Sequence, residues 1–420
     1  MTVINDSITL HYIPMKKLKT STVGVYIHRP LTKDDASYGA LLPSVLKRGC
    51  RLCKTREEIE KYLDNLYGAE LRSGCFKKGE DQILYFTIES ISEKYTPEKE
   101  PLFEKLTALI MSLLFEPAVE NGGFSQEYTE QEKKNLIEKI EGMKNDKRTY
   151  AMQRCTAEMF EGTDYAVPSY GTVEDAKQID RESLYEYYKR IIFSSRIDIY
   201  ISGDCNEDTA CGLIKNALPR ESFSGNTVKQ QGILVKNTDV KYVEEKLDVT
   251  QGKLSMGFTT GIDGTSDEYY ALMVANSIFG GGAHSKLFNN VREKLSLCYY
   301  ASSSLERYKS VMMVSAGIEF ENYQKAYDEI LNQLKAVKEG DISQLEYISS
   351  INAIVNSLKS CLDDQYAMQS FSLSESILKT GISLEECIEK IKKVTVSDAV
   401  RAARGIRLDT VYFLKGADAK

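Results

Sequence analysis

The chain has 420 residues, roughly three times the ~150 of a typical domain, so two or more domains are expected. Hydrophobic residues at 42% and charged residues at 27% are ordinary for a folded protein and exclude a disordered one. With 54 basic against 61 acidic side chains, the net charge of -7 argues against a dedicated nucleic-acid binder, and no basic segment stands out.

In chain order, the opening Met1-Thr-Val-Ile-Asn-Asp-Ser7 lacks the basic and apolar stretches of a signal peptide. Alternation over Val23–His28 predicts a strand, followed by an acidic turn at Lys33–Asp35 and a helix ending at Gly49. Thr55 and Glu58 have capping-box spacing, ahead of a helix with Ile59, Leu63 and Leu66 as its buried stripe. Ala69–Cys75 and Gln82–Ile88, joined by Lys77–Glu80, read as a hairpin. The longest apolar run, Leu106–Phe115, is interrupted by Thr107 and Ser112 and is about half the length needed to cross a bilayer. Asp180 opens a helix ahead of a strand at Arg196–Ile201, which runs into Gly203.

Hydrophobic periodicity lapses between Pro219 and Gln231, which predicts a junction and two domains, 1–219 and 220–420. The second stretch repeats the first. A strand at Lys253–Phe258 precedes Asp263–Asp267 and a helix ending at Gly280. Strands at Tyr299–Leu305 and Val311–Ile318 are joined by Glu306–Lys309; Thr395 opens a helix, and Arg407–Phe413 runs into Gly416. Hairpins followed by runs of helices, without strict strand–helix alternation, predict an α+β protein. Its expected form is two tandem homologous α/β rolls, each a largely antiparallel sheet with helices packed on it.

Little in the composition serves metal or thiol chemistry. The three histidines, His11, His28 and His284, are scattered, which excludes a metal site built from one local multi-histidine motif. Nine dispersed cysteines read as reduced thiols and predict a cytoplasmic protein. Cys50-Arg-Leu-Cys53 lacks the second Cys pair or nearby His that zinc would need. Gly280-Gly281-Gly282 could offer amides to an anion, but no phosphate-loop context accompanies it and Lys286 lies too far on. A tight helix-to-helix turn is the better reading, with His284 a polar loop residue.

The most specific stretch is Phe279-Gly-Gly-Gly-Ala-His-Ser-Lys-Leu-Phe288, continuing through Val291-Arg-Glu-Lys294 to Leu297-Cys-Tyr-Tyr300. It resembles the second-half signature of the insulinase/pitrilysin zinc-peptidase family, which includes the mitochondrial and bacterial processing peptidases. That signature runs Gly-Gly-Gly, Ser-Arg-Leu-Phe, then Arg-Glu with a Tyr seven residues after the Arg. Lys286 stands here where Arg is usual, whereas Arg292 and Tyr299 keep the spacing. The order of elements extends the resemblance over nearly the whole chain. It implies that Arg292 and Tyr299 face substrate, donating hydrogen bonds to its carbonyl and to the oxyanion that grows there. On a continuous helix the two would share a face; residue type alone favours a solvated helix arginine and a half-buried strand tyrosine, and the surrounding signature reverses that preference.

The resemblance also implies a His-x-x-Glu-His helix in the first half and a Glu ligand on a later helix. Counting back from Gly49, Ala40 and Ser44 occupy the His positions and Pro43 the Glu position. Alanine and proline can neither ligate zinc nor move a proton, and a serine hydroxyl is a poor ligand. Pro43 also removes a helix hydrogen bond. Glu132 matches the third ligand, four residues before Leu136 and eight before Ile140, and fits equally an ordinary charge near a helix start. One carboxylate cannot hold zinc, so neither a metal nor another cofactor is expected in this chain, nor activity in isolation.

In family dimers one subunit supplies zinc and the other the Arg/Tyr pair. The expectation is a non-catalytic subunit that lends Arg292 and Tyr299 to a homologous, zinc-bearing active subunit and helps enclose a peptide. The alternative is a homodimeric peptide-binding or chaperone-like protein. An autonomous hydrolase using Glu132 with Cys50 or His28 has no supporting spacing, and neither nucleic acid nor a membrane is an expected partner.

Overall fold

The computed structural model describes residues 2–97, 100–225 and 239–416. Elements up to residue 217 are β1 (Thr2–Val3), β2 (Ile8–Pro14), β3 (Thr20–Pro30), α1 (Lys33–Leu46), α2 (Arg56–Asn65), β4 (Glu70–Lys78), β5 (Asp81–Ile91), α3 (Leu102–Phe115), α4 (Gln126–Gly142), α5 (Lys147–Met159), α6 (Val173–Lys177), α7 (Arg181–Ile192), β6 (Arg196–Gly203) and α8 (Glu207–Ala217). From residue 241 follow β7 (Lys241–Leu247), β8 (Gly252–Thr259), α9 (Glu268–Gly280), a π-helical stretch (Leu287–Lys294), β9 (Cys298–Glu306), β10 (Val311–Ile318), α10 (Tyr323–Glu339), α11 (Gln344–Ser360), α12 (Gln365–Leu378), α13 (Leu384–Lys393), α14 (Val396–Arg404) and β11 (Arg407–Gly416).

Duplication is visible in the sheets. The first has the order β1-β2-β6-β3-β5-β4 and the second β7-β11-β8-β10-β9. Apart from β1, the two orders correspond strand for strand. In each, one parallel pair (β2 with β6, β7 with β11) borders antiparallel neighbours. The α+β class and the largely antiparallel rolls expected from the sequence are therefore present. The expected hairpins are β4–β5 and β9–β10, and Asp180 and Thr395 cap α7 and α14 with reciprocal capping boxes. Two local expectations shift. Lys33–Asp35 is the first turn of α1, capped by Thr32, rather than a turn before it. At α2 only half of the capping box forms, because Glu58 accepts from the Lys54 amide instead of that of Thr55.

The chain forms two compact units, which depart from a plain cut at 219/220 in two segments. One unit comprises Met1–Glu141, Val167–Gln230 and Leu362–Leu373; the other comprises Gly142–Ala166, Gln231–Cys361 and Ser374–Lys420. Part of the junction expected at Pro219–Gln231 lies outside the described residues.

Strand alternation gives each sheet two faces. In the first unit Val23, Val25, Ile27, Leu84, Phe86, Ile197 and Ile199 join α1, α3 and α7 in one apolar core. The opposite face carries Tyr26, His28, Asp198 and Tyr200 under the start of α12. There Gln369 accepts from Tyr26 Oη (2.9 Å) and donates to Ser202 Oγ (2.8 Å). In the second unit Leu254, Met256 and Phe258 are buried on one face of β8, while α5 packs across β8 and β11 with Ala151, Cys155 and Met159 against Met313, Tyr412 and Leu414. No helix among the described residues is long and apolar enough to cross a membrane.

Candidate functional site

Helix α1 carries Ala40, Pro43 and Ser44, which the family resemblance sets at the two histidine positions and the general-base position. Ala40 is buried, Pro43 is buried within the helix, and Ser44 is half-buried. The Pro43 carbonyl accepts from the Lys47 amide (3.3 Å) and from Ser73 Oγ of β4 (3.2 Å), so the helix continues past the proline to Leu46. Residues 40, 44 and 48 share one face at four-residue spacing, and the third of these is Arg48.

Arg48 closes the site. Its Nε donates to Glu132 Oε1 at 2.6 Å and a terminal nitrogen also contacts that carboxylate; the two side chains are 9% and 13% exposed. The other Glu132 oxygen accepts from Asn135 Nδ2 at 3.1 Å. The guanidinium also lies over the Tyr128 ring, 5.3 Å from its centroid. Glu132 thus sits on α4 with both oxygens engaged by side chains of this chain. Alanine, proline, serine and an ion-paired glutamate do not fit zinc, which needs three or four free N, S or O donors. Among the described residues, no group of three or more His, Cys, Asp or Glu side chains is placed to hold a metal ion. Sequence reasoning missed Arg48; its only local signal was the spacing from Ser44.

The second-half segment is built differently. Gly280 ends α9, and a Cβ there would lie 2.6 Å from the Ser303 amide nitrogen of β9, so the glycine lets helix and strand approach closely. A Cβ on Gly281 would meet Ser277 Cα at 2.6 Å, and one on Gly282 the His284 ring at 3.3 Å. The three glycines therefore form the turn from α9 into the π-helical stretch, with His284 Nε2 3.1 Å from Ser277 Oγ. Lys286 is buried and paired with Glu346 of α11 at 3.1 Å, a structural role for the residue that departs from the family signature.

Arg292 and Tyr299 do not lie on one continuous helix. The π-helical stretch ends at Lys294, Ser296 turns the chain at φ 50°, and Tyr299 is the second residue of β9. Both side chains are exposed. Arg292 lies over the Phe288 ring at 4.7 Å and 3.6 Å from Glu293; Tyr299 is 53% exposed and its hydroxyl donates to Glu319. That hydrogen bond raises the phenol pKa, favouring the protonated, donating form.

The remaining candidates are committed elsewhere. Cys50 and Cys53 are buried, the Cys50 amide bonds the Cys53 carbonyl at 2.6 Å, and burial pushes the Cys53 thiol up to about 11. A thiol in that state is a poor nucleophile. His28 is buried between two aspartates, Nδ1 2.9 Å from Asp81 and Nε2 2.8 Å from Asp198. Asp198 also takes His11 Nε2 at 2.8 Å and Arg196 at 2.8 Å. Burial alone would lower the His28 pKa, but its bonds to Asp198 and Asp81 outweigh that and raise it. Burial likewise opposes the Asp198 charge, yet His11 and His28 hold its carboxyl well below the usual range. His11 and His28 are thus both held in place by buried aspartates.

Comparison with known proteins agrees with this geometry. Residues 178–354 match the model described as "Peptidase M16 inactive domain". "Probable inactive metalloprotease YmfF" of Bacillus subtilis (strain 168) is 36% identical over 414 residues, 99% of this chain and 97% of that protein. A crystal structure of an Enterococcus faecalis V583 protein matches with a TM-score of 0.91 at 28% identity, covering 99% of this chain and 97% of that one. A Pseudomonas fluorescens "peptidase M16 inactive domain" shares the fold alone, with a TM-score of 0.79 at 16% identity over 99% and 97% of the two chains. At 36% identity over nearly its whole length to a probable inactive metalloprotease, the chain belongs to the M16, or insulinase-type, peptidase family as one of its catalytically inactive members.

Proposed function

We propose that the protein is the non-catalytic subunit of a processing-peptidase-like zinc peptidase in the cytoplasm. It pairs with a homologous subunit that holds the zinc, contributes Arg292 and Tyr299 to that subunit's site, and forms part of the wall around a bound peptide. The observation that carries this reading is an asymmetry. Ala40, Pro43 and Ser44 offer no ligand set for zinc and Glu132 is ion-paired with Arg48, whereas Arg292 and Tyr299 remain exposed on the signature segment with their donor groups at the surface. A guanidinium and a phenol so placed can donate to a developing oxyanion without any metal of their own.

Co-expression with a homologous chain carrying an intact His-x-x-Glu-His tests it. The two should co-purify, the mixture should cleave peptides that this chain alone does not, and Arg292→Ala should reduce that cleavage by about a hundredfold, the usual cost of one lost oxyanion donor. Strong cleavage by the isolated chain, or failure to associate, would overturn the proposal. The hydrogen bond from Tyr299 to Glu319 favours a second reading, a homodimeric peptide-binding protein with no part in catalysis. On that reading Arg292→Ala leaves the mixture's cleavage unchanged.

A further inference from the structure

We infer that the abandoned zinc site is now a binding pocket for a peptide carboxylate; the inference rests on the peptide-binding reading above and assigns it a substrate class. A cavity of about 310 Å³ opens in the first unit between α1, α2, β4 and α4, lined by Ser44, Lys47, Arg48, Arg56, Ser73 and Glu132 among others. At ~30 Å³ per water this is room for about ten waters, enough for a carboxylate-bearing side chain. The lining brings three cations against one anion, and that anion is already engaged. Glu132 Oε1 takes Arg48 and Oε2 takes Asn135, so the pocket's own carboxylate leaves the remaining donors unsatisfied.

Those donors are specific. Lys47 Nζ bonds the Leu71 carbonyl at 2.8 Å, leaving two of its three N–H groups for a ligand. Arg56 comes no nearer than 3.6 Å to Glu60, beyond hydrogen-bond range, and Ser44 adds a hydroxyl. Two further acids stand near this rim, Glu60, ion-paired with Arg56, and Glu70, bound by Arg72 at 2.6 Å. Loss of the metal has therefore converted a cation site into an anion site: the positive charge that zinc would bring is now covalently part of the wall. A peptide is the fitting carrier. Ser73 belongs to β4, which pairs only with β5 among the described strands, and an extended segment along a free sheet edge presents every second side chain to one face.

The test uses the full chain and fluorescein-labelled ten-residue peptides that differ at one central residue, Glu, Gln or Lys, each with an amidated or a free C-terminus. By fluorescence anisotropy at low salt, the amidated Glu peptide should bind about tenfold more tightly than its Gln counterpart, the worth of one charge-assisted hydrogen bond, and the Lys peptide least. Lys47→Met and Arg56→Gln should each shrink that gap, as should added salt. Lys47→Met keeps most of the aliphatic stem, Arg56 is exposed, and an unchanged thermal midpoint shows that each variant folds. If tight binding follows the free terminus instead of the central Glu, the pocket takes a C-terminal carboxylate and the inference stands. Equal affinity for Glu and Gln peptides, amidated and free, overturns it while leaving peptide binding intact. No binding of any peptide overturns both.

Discussion

The two sheets share a strand order but bury opposite chemistry on the face turned away from their main helices. In the first unit that face holds His11, His28, Asp81, Asp198 and Arg196 in one ion-paired cluster, covered by the glutamine amides of α12. In the second it holds Met313, Tyr412 and Leu414, covered by Cys155 and Met159 of α5. A duplicated sheet thus needs only its alternation and register to persist. The chemistry of the second face can diverge widely, provided the helix laid across it diverges in step. The same preference for fixed charge recurs in the first unit at the end of α1, where Arg48 is paired with Glu132 of α4.

The sharpest way to break this comparison is to remove the anion at the centre of the polar face. Asp198→Asn leaves the cations of His28 and Arg196 buried with one acceptor fewer, and should cost about 3–5 kcal/mol of stability, read by denaturant unfolding. The cluster also makes stability depend on pH. His28 has a folded pKa above its unfolded one, so its contribution is present below about pH 6.5 and is lost as pH rises through the folded value. Asp198, held low, contributes above about pH 3.9 and loses that contribution as pH falls through its folded value. The alkaline decline should be flatter in Asp198→Asn than in the parent. A variant as stable as the parent, with the same pH profile, would mean that the cluster does not hold this face together.

A smaller effect is expected at the Arg48–Glu132 pair. Arg48→Met leaves Glu132 a half-buried carboxylate with Asn135 as its remaining partner, at a cost of about 1.5–3 kcal/mol. Adding Glu132→Gln should recover most of that loss, the signature of a coupled pair in a double-mutant cycle. The same substitution gives a metal test. Ala40→His, Pro43→Glu and Ser44→His together should bind zinc weakly while Arg48 occupies Glu132, and tightly once Arg48→Met is added, as measured by zinc retention after dialysis. Tight binding with Arg48 in place would show that the guanidinium is no barrier.

What the sequence made legible follows which interactions are local. Hairpins, capping residues and the Ile59/Leu63 stripe depend on neighbours a few residues apart, and they appear where expected. The parallel partners β2 and β7 were not foreseen, since Lys241-Tyr-Val-Glu-Glu-Lys-Leu247 buries little on either face and so carries a weak hydrophobic pattern. Nor could periodicity say which sheet α5 or α12 would cover. Counting along the sequence singles out positions 40, 43 and 44, but the Arg48–Glu132 pair joins residues 84 apart and exists only once α1 and α4 have packed. The helical face shared by Arg292 and Tyr299 failed because Ser296 adopts a positive φ and turns the chain into β9.

The finest contrast between the two faces is at a pair of glycines in β3 and β8. A Cβ on Gly24 would lie 2.4 Å from Gln369 Oε1, and one on Gly257 would lie 2.7 Å from Met159 Sδ. Both clashes are severe on paper, but their relief differs. The Gln369 amide is fully buried and fixed at both ends by Tyr26 and Ser202, so moving it breaks two buried hydrogen bonds. Met159 is an unbranched thioether that can turn about its side-chain bonds. Gly24→Ala should therefore cost about 1–3 kcal/mol, and Gly257→Ala about 1 kcal/mol or less. Thermal midpoints of the two variants measured side by side decide it. Equal losses would mean that the polar face yields as readily as the apolar one, and that its hydrogen bonds confer no extra rigidity.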